Sequence, residues 1–243
     1  MDTLERIERW WDEDADTYDH VPGHAAATAA ERAAWAAALA RHLPPGGSVL
    51  DVGAGTGFLS LTAARLGCRV TALDLSGRML DRLRASAARE GLEVVAHQGP
   101  ADQPPEGPFD AVMSRHLLWT LPDPGRALAA WHAAAPAGRL ALFESMWGRT
   151  DRAEVVRQRL RHGVDRLRRA SRGHHDDYDP SVLAQLPYGS GIGPGALVEL
   201  VESTGWGPAR LERLRDVEWA RLLARPPLER MLGVTPVFTV TAG

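Results

Sequence analysis

Val49-Leu50-Asp51-Val52-Gly53-Ala54-Gly55-Thr56-Gly57 is an apolar run that ends in an acid and then breaks into three alternating glycines. Seventeen residues beyond Gly57, a second apolar run, Val70-Thr71-Ala72-Leu73, ends in Asp74. Two strand ends, a glycine turn and a terminal acid are the parts with which a parallel sheet holds a nucleoside. Gly53 is expected to leave the strand with backbone angles that a Cβ would penalise. Gly55 lets a ligand approach the main chain. Gly57 lets the helix that follows, 58–66, start close to the sheet with its free N–H groups directed at the bound molecule. Asp74 stands where one carboxylate accepts both hydroxyls of a ribose.

The glycine spacing discriminates between nucleoside ligands. Dinucleotide sites use G-x-G-x-x-G, and here the third glycine position falls on Phe58, a large side chain where close packing wants none. The pattern is instead G-x-G-x-G preceded by Asp51, and it resembles the first motif of class I S-adenosylmethionine-dependent methyltransferases. Leu73-Asp74-Leu75-Ser76 followed by Met79-Leu80 resembles the second motif. Phe109-Asp110-Ala111-Val112-Met113-Ser114 resembles the fourth strand, and Pro136-Ala137-Gly138-Arg139-Leu140-Ala141-Leu142 the turn into the fifth. The resemblance is strong over residues 45–146 and loose in the flanks.

The resemblance implies an S-adenosyl-L-methionine cofactor, leaving as S-adenosyl-L-homocysteine, and assigns roles to individual residues. Asp51 orders the glycine turn and reaches the methionine ammonium. Gly53, Gly55 and Gly57 line the methionine and ribose part, Asp74 takes the ribose hydroxyls, and Leu75 and Met79 flank the adenine. After strand three the family often shows Gly-Asp-Ala, whereas this chain reads Gly99-Pro100-Ala101-Asp102. Ala101 keeps a backbone N–H for the ring, and Asp102 is the candidate carboxylate for the adenine amino group. Ser114 offers its backbone carbonyl to the cofactor's amino group. His116 faces the expected point of methyl transfer, where an imidazole accepts a proton near neutral pH. Tyr18 belongs to an N-terminal segment that resembles the family's lid. His24, Trp119, Trp147, Tyr178 and Tyr188 are candidates for the wall of a substrate pocket.

The whole chain is consistent with that reading. Its 243 residues suffice for one domain with a full core, or one domain and a lid. Apolar residues make up 44% and charged residues 24%, as in an ordinary soluble protein. No apolar run approaches the ~20 residues of a membrane helix, and Met1 to Arg6 carry no secretory segment. The cytoplasm is the expected compartment, with no membrane partner. One cysteine, Cys68, excludes an internal disulfide. The formal net charge of −3 argues against a nucleic-acid binder, and Trp119, Trp147, Tyr178 and Tyr188, as candidates for an aromatic pocket, favour a small-molecule substrate. There is no lysine or asparagine, a sign of coding bias, so no lysine ammonium acts in catalysis. His20 and His24 are four apart, and His174-His175 precede acids, but Pro22-Gly23 breaks the helix that would align the first pair; no metal is expected.

Strands alternating with helices between 48 and 144 predict an α/β, doubly wound, seven-stranded and mostly parallel sheet with right-handed crossovers. Helices are expected at 3–18, 25–42, 58–66, 77–90, 124–134 and 194–204, with an arginine-rich helical pattern at 149–170. Strand candidates 210–217 and 234–241 form the antiparallel edge hairpin that the resemblance implies. Residues 1–44 then make an N-terminal helical lid and 45–243 the core, with 147–193 inserted over the strand ends where substrate sits. The leading expectation is methyl transfer to a hydroxyl, amine or carbon of a small metabolite, a natural-product intermediate among the candidates, by a monomer or homodimer. The alternatives are a pericyclase-like enzyme that retains the cofactor without methylating and a nicotinamide-dependent oxidoreductase, against which Phe58 speaks.

Overall fold

The computed structural model describes residues 3–21, 23–145 and 180–243. Its centre is one seven-stranded sheet in the order β3-β2-β1-β4-β5-β7-β6. The strands are β1 (Ser48–Val52), β2 (Arg69–Asp74), β3 (Val94–Gln98), β4 (Ala111–Arg115), β5 (Arg139–Ser145), β6 (Arg210–Arg213) and β7 (Val237–Ala242). β1 to β5 pair in parallel, whereas β7 runs antiparallel to both β5 and β6. The order reverses between β1 and β4, and there the helices leave the strands on opposite faces and open a crevice at the strands' carboxyl ends. Val52 lies opposite both Leu73 and Ser114, so three strand ends arrive at that crevice in register.

The longer helices are α1 (Thr3–Asp14), α2 (Ala29–His42), α3 (Phe58–Arg65), α4 (Gly77–Glu90), α5 (Pro124–Ala134), α6 (Pro194–Glu202) and α7 (Arg215–Ala224). Their starts are written in the sequence. Thr28 caps α2 by accepting from Glu31 N at 3.1 Å, Ser76 caps α4 through Met79 N at 3.1 Å, and Asp123 caps α5 through Arg126 N at 2.9 Å. One face of the sheet packs Trp131 of α5, Leu197 and Val201 of α6, and Trp206. The other packs Trp35 and Leu39 of α2, Leu59 of α3 and Val217 of α7.

Four expectations shift in detail. The first helix ends at Asp14, where Thr17 N and Oγ1 both bond back to Asp14 O and divert the chain into a 3-10 turn, Tyr18–His20. The second starts at its Thr28 cap, later than 25. The strand expected over 210–217 stops at Arg213, because Leu214, Val217, Glu218 and Ala220 bury one stripe of α7. β6 and β7 are therefore antiparallel edge neighbours joined through a helix, not a tight hairpin.

Of the segment 1–44, α2 is built into the body against α3 and α7, and only α1 with the turn after it lies over the crevice. The arginine-rich pattern at 149–170, the His174-His175 pair, Trp147 and Tyr178 lie outside the described residues. The described end of the insert, around Val182 and Leu186, packs on Ile7 beside Trp10, Trp11 and Trp119.

Candidate active site

The crevice is a cleft lined by the glycine turn, the ends of β2 and β4 and the first helix. The glycine turn forms its floor. Gly53 (φ 70°) and Gly55 (φ 55°) are left-handed, and a Cβ on Gly53 would fall 2.8 Å from Leu117 Cδ1. The main chain at these two residues is thus bare toward the cleft. Gly57 (φ 96°) does other work. A Cβ there would meet Leu83 Cγ at 2.8 Å, so this glycine lets α3 pack on α4 and is not part of the cleft wall.

Asp74 ends β2 and lines the cleft. Its Oδ2 accepts from Gly55 N at 2.7 Å and its Oδ1 from Ser76 N at 2.9 Å. Burial pushes its pKa up to about 6. Asp51 is buried one layer behind, where Ser60 Oγ donates to it at 2.6 Å, and burial pushes it up to about 7. Two sequestered carboxyls, to which no cation is bonded among the described residues, favour positive charge at this end of the cleft. Asp51 does not line the cleft; it braces α3 beneath the glycine turn.

One wall carries Leu75 and Met79, apolar and suited to a flat base, facing Gly99, Pro100 and Ala101. Asp102, expected on the adenine side, is not part of this wall, and its carboxylate pairs with Arg126 Nε at 3.0 Å. Ser114 is buried with its hydroxyl on Val52 O at 2.7 Å and stays off the cleft surface.

Tyr18 reaches the cleft from the N-terminal turn, its ring 3.9 Å from where a Gly55 Cβ would stand. Burial pushes its hydroxyl up to about 12, so it remains a neutral donor. His24 does not line the cleft. It stacks on Tyr18 with centroids 4.1 Å apart, and its Nδ1 lies 3.0 Å from Tyr18 O. Trp119 packs against the small cluster of Ile7, Val182 and Leu186, and Tyr188 packs on the main core, both outside the cleft wall.

Sequence reasoning missed three contributors. α1 supplies Leu4, Ile7 and Trp11 as a roof, pinned by Asp12, whose Oδ1 accepts from Ser76 Oγ at 2.5 Å and Arg78 N at 3.2 Å. Arg115 lines the cleft with its guanidinium 4.0 Å from the Phe58 ring centroid and bonded to the carbonyls of Gly23 and His24, tying the N-terminal segment down. Burial lowers its pKa to about 10, which leaves it cationic at neutral pH. Glu144, at the end of β5, meets His116: its Oε2 is 3.1 Å from His116 Nδ1. The i, i+3, i+4 stripe of Leu4, Ile7, Trp10 and Trp11 was the available signal for the roof; nothing local marks Arg115 or Glu144.

His116 itself lines the cleft just past the end of β4. Burial pushes its pKa below the ordinary histidine value, and Arg115 and Arg221 push the same way, outweighing Glu144. The imidazole is therefore neutral at physiological pH and has a lone pair to offer.

Residues 49–138 match the family described as "Methyltransferase domain". The ubiquinone biosynthesis O-methyltransferase of Xanthomonas axonopodis pv. citri is 30% identical over 223 residues, 90% of each chain. A phosphoethanolamine N-methyltransferase 2 of Haemonchus contortus, solved with phosphomonomethylethanolamine and S-adenosylhomocysteine, superposes with a TM-score of 0.65 at 17% identity, over all of this chain and 60% of that one. The [4+2]-cyclase SpnF superposes with a TM-score of 0.64 at 17% identity, over 99% of this chain and 96% of that one. At such identities the two structures establish the fold alone.

Proposed function

The chain belongs to the class I S-adenosylmethionine-dependent methyltransferases, and on that footing we propose that its acceptor is a hydroxyl group of a small metabolite, a natural-product intermediate among the candidates. The observation that carries this reading is His116, a neutral imidazole on the cleft wall. A hydroxyl needs a base as it attacks, whereas an amine needs only a site that leaves it unprotonated.

The residues present fit the cofactor. Two buried carboxyls raised toward neutrality favour a ligand that brings cationic sulfonium and ammonium groups. Asp74 would hold the ribose hydroxyls, the bare main chain of Gly53 and Gly55 the methionine chain, and Leu75 and Met79 the adenine faces, with Ala101 N–H beside the ring. When bound, S-adenosylmethionine supplies the electrophilic methyl group. The protein's part is to orient two reactants, exclude water with the α1 roof, and take one proton at His116. The apolar roof of Leu4, Ile7 and Trp11 suits an acceptor with an apolar body. No described helix is long and apolar enough to cross a membrane, and we place the enzyme in the cytoplasm as a monomer or homodimer.

The test is incubation with methyl-labelled S-adenosylmethionine and a panel of phenols, aliphatic alcohols and amines, with products read by mass spectrometry. Label in an O-methyl ether is the expected result. Label carried only by amines overturns the hydroxyl reading. No transfer by protein that still binds S-adenosylhomocysteine favours the cofactor-retaining alternative.

A further inference from the structure

Among the described residues His116 is the single non-glycine with a left-handed backbone, φ 55°. Its amide still pairs with Phe143 O at 3.2 Å, as a strand residue would, and the 3-10 turn Leu118–Thr120 follows two residues on. A residue with a Cβ holds this conformation at a cost of about 1–2 kcal/mol, and such strain gathers at functional sites. Sheet pairing before it and Leu117 seated against Gly53 after it keep it in place.

The ring meets the end of β5. Nδ1 faces Glu144 Oε2 at 3.1 Å, and Nε2 faces the Ser145 hydroxyl at 3.4 Å. Glu144 is buried, and among the described residues no other side chain is recorded against its carboxylate. An ionised carboxylate only accepts, so the ring atom beside it carries the proton and the opposite nitrogen carries the lone pair.

We propose that Glu144 is the positioning residue of the methyl transfer: its carboxylate locks His116 in the Nδ1–H tautomer, making Nε2 the atom that takes the proton of an acceptor hydroxyl. The inference rests on the reading of His116 as the base and deepens it. The acceptor O–H bond breaks toward Nε2 as the oxygen–methyl bond forms, and the pair of the sulfur–methyl bond stays with sulfur. The proton rests on an imidazolium beside Glu144 and then passes to solvent; nothing is oxidised or reduced. The charged groups that act on the ring are Glu144 of β5, Arg115 of β4 and Arg221 of α7, and the Ser145 hydroxyl beside Nε2 stands where the acceptor hydroxyl would take its place. The two arginines disfavour the imidazolium, and Glu144 alone favours it.

The test is nitrogen NMR of the full chain carrying labelled histidine, with the His116 signals assigned by their loss in His116→Asn, a residue type that tolerates the left-handed backbone. Between pH 6 and 8 the wild type should show a protonated Nδ1 and an unprotonated Nε2. Glu144→Gln should lower the His116 titration midpoint by at least half a unit, and Glu144→Asp should restore part of it. A wild-type Nε2–H tautomer, or a midpoint equal in all three proteins, overturns the proposal. If Glu144→Gln fails to fold, the wild-type tautomer and Glu144→Asp decide. With a phenol from the acceptor panel, Glu144→Gln should lower kcat at least tenfold and leave KM for S-adenosylmethionine within twofold. The NMR readout needs no acceptor, so a correct tautomer with no hydroxyl methylated would reject the function reading and leave the pair standing.

Discussion

Gly55 N donates to Asp74 Oδ2 at 2.7 Å, joining the glycine turn after β1 to the end of β2. The same carboxylate accepts from Ser76 N at 2.9 Å, ahead of α4. One acid thus fixes the shape of the turn and stands at the cleft surface. Replacing it should remove both ligand contacts and turn geometry. Asp74→Ala is expected to weaken S-adenosylhomocysteine binding by on the order of 1–3 kcal/mol, the cost of stranding buried hydroxyls. Unchanged affinity in titration calorimetry would refute the placement.

The raised carboxyls predict a proton balance. Asp51 and Asp74 hold protons in the fold that the unfolded chain has released, since their values stand at about 7 and about 6 against an ordinary 3.8. Their contribution to stability is therefore present below about pH 4 and lost as pH rises toward 7. For Asp51 that window is worth on the order of 4 kcal/mol. Asp51→Asn should stabilise the ligand-free protein at pH 8 and flatten this slope in urea titrations; a slope equal to wild type would contradict it.

A cation bound in the cleft beside Asp74, with Asp51 buried behind, should expel protons from these acids. S-adenosylmethionine at pH 6.5 is expected to release protons, and S-adenosylhomocysteine, which lacks the sulfonium charge, fewer. Calorimetry in buffers of different ionisation enthalpy measures this directly. Binding heats that do not depend on buffer would rule it out.

Gly57 is a packing residue, and its substitution should show as stability before affinity. Gly57→Ala places a methyl 2.8 Å from Leu83 Cγ at a left-handed position. A loss of about 2–3 kcal/mol is expected from strain plus overpacking. Chemical denaturation would detect it, and a variant as stable as wild type would contradict the packing role.

Asp12 of α1 ties the roof to the start of α4, beside a second tie from Gln98 to Glu8. Asp12→Ala removes acceptors from Ser76 Oγ and Arg78 N. α1 should then open more often, with faster trypsin cleavage at Arg6 or Arg9 and S-adenosylhomocysteine binding weakened by about 1 kcal/mol. Cleavage at the wild-type rate would show that the apolar contacts of Ile7 and Trp11 suffice.

Much of the fold was legible because it is local. The strand runs 49–52 and 70–73, the Ser76 and Asp123 caps and the Pro-led starts of α5 and α6 depend on neighbours within four residues. α7 escaped notice because its apolar stripe is short and lies between strand candidates, and β6 stops where that stripe begins. In the site, Tyr18, Gly53, Gly55, Asp74, Leu75, Met79, Ala101 and His116 do meet at one cleft. Asp102 meets Arg126, 24 residues on, a partner that linear spacing does not announce. Gly57 was read as cleft and helix start together, and only Leu83 separates the two.

The sequence alone determined the sheet and the glycine cradle, since strand period, turn chemistry and a terminal acid are set by residues close together along the chain, and the cofactor followed from the family that these motifs resemble. The tertiary structure decided which polar groups face one another. Glu144 and His116 are 28 positions apart and meet because β4 and β5 pair in register, with Ser114 opposite Leu142 and Arg115 opposite Phe143. A hydrogen-bond partner is chosen by distance in space, which linear spacing does not encode until the sheet has formed.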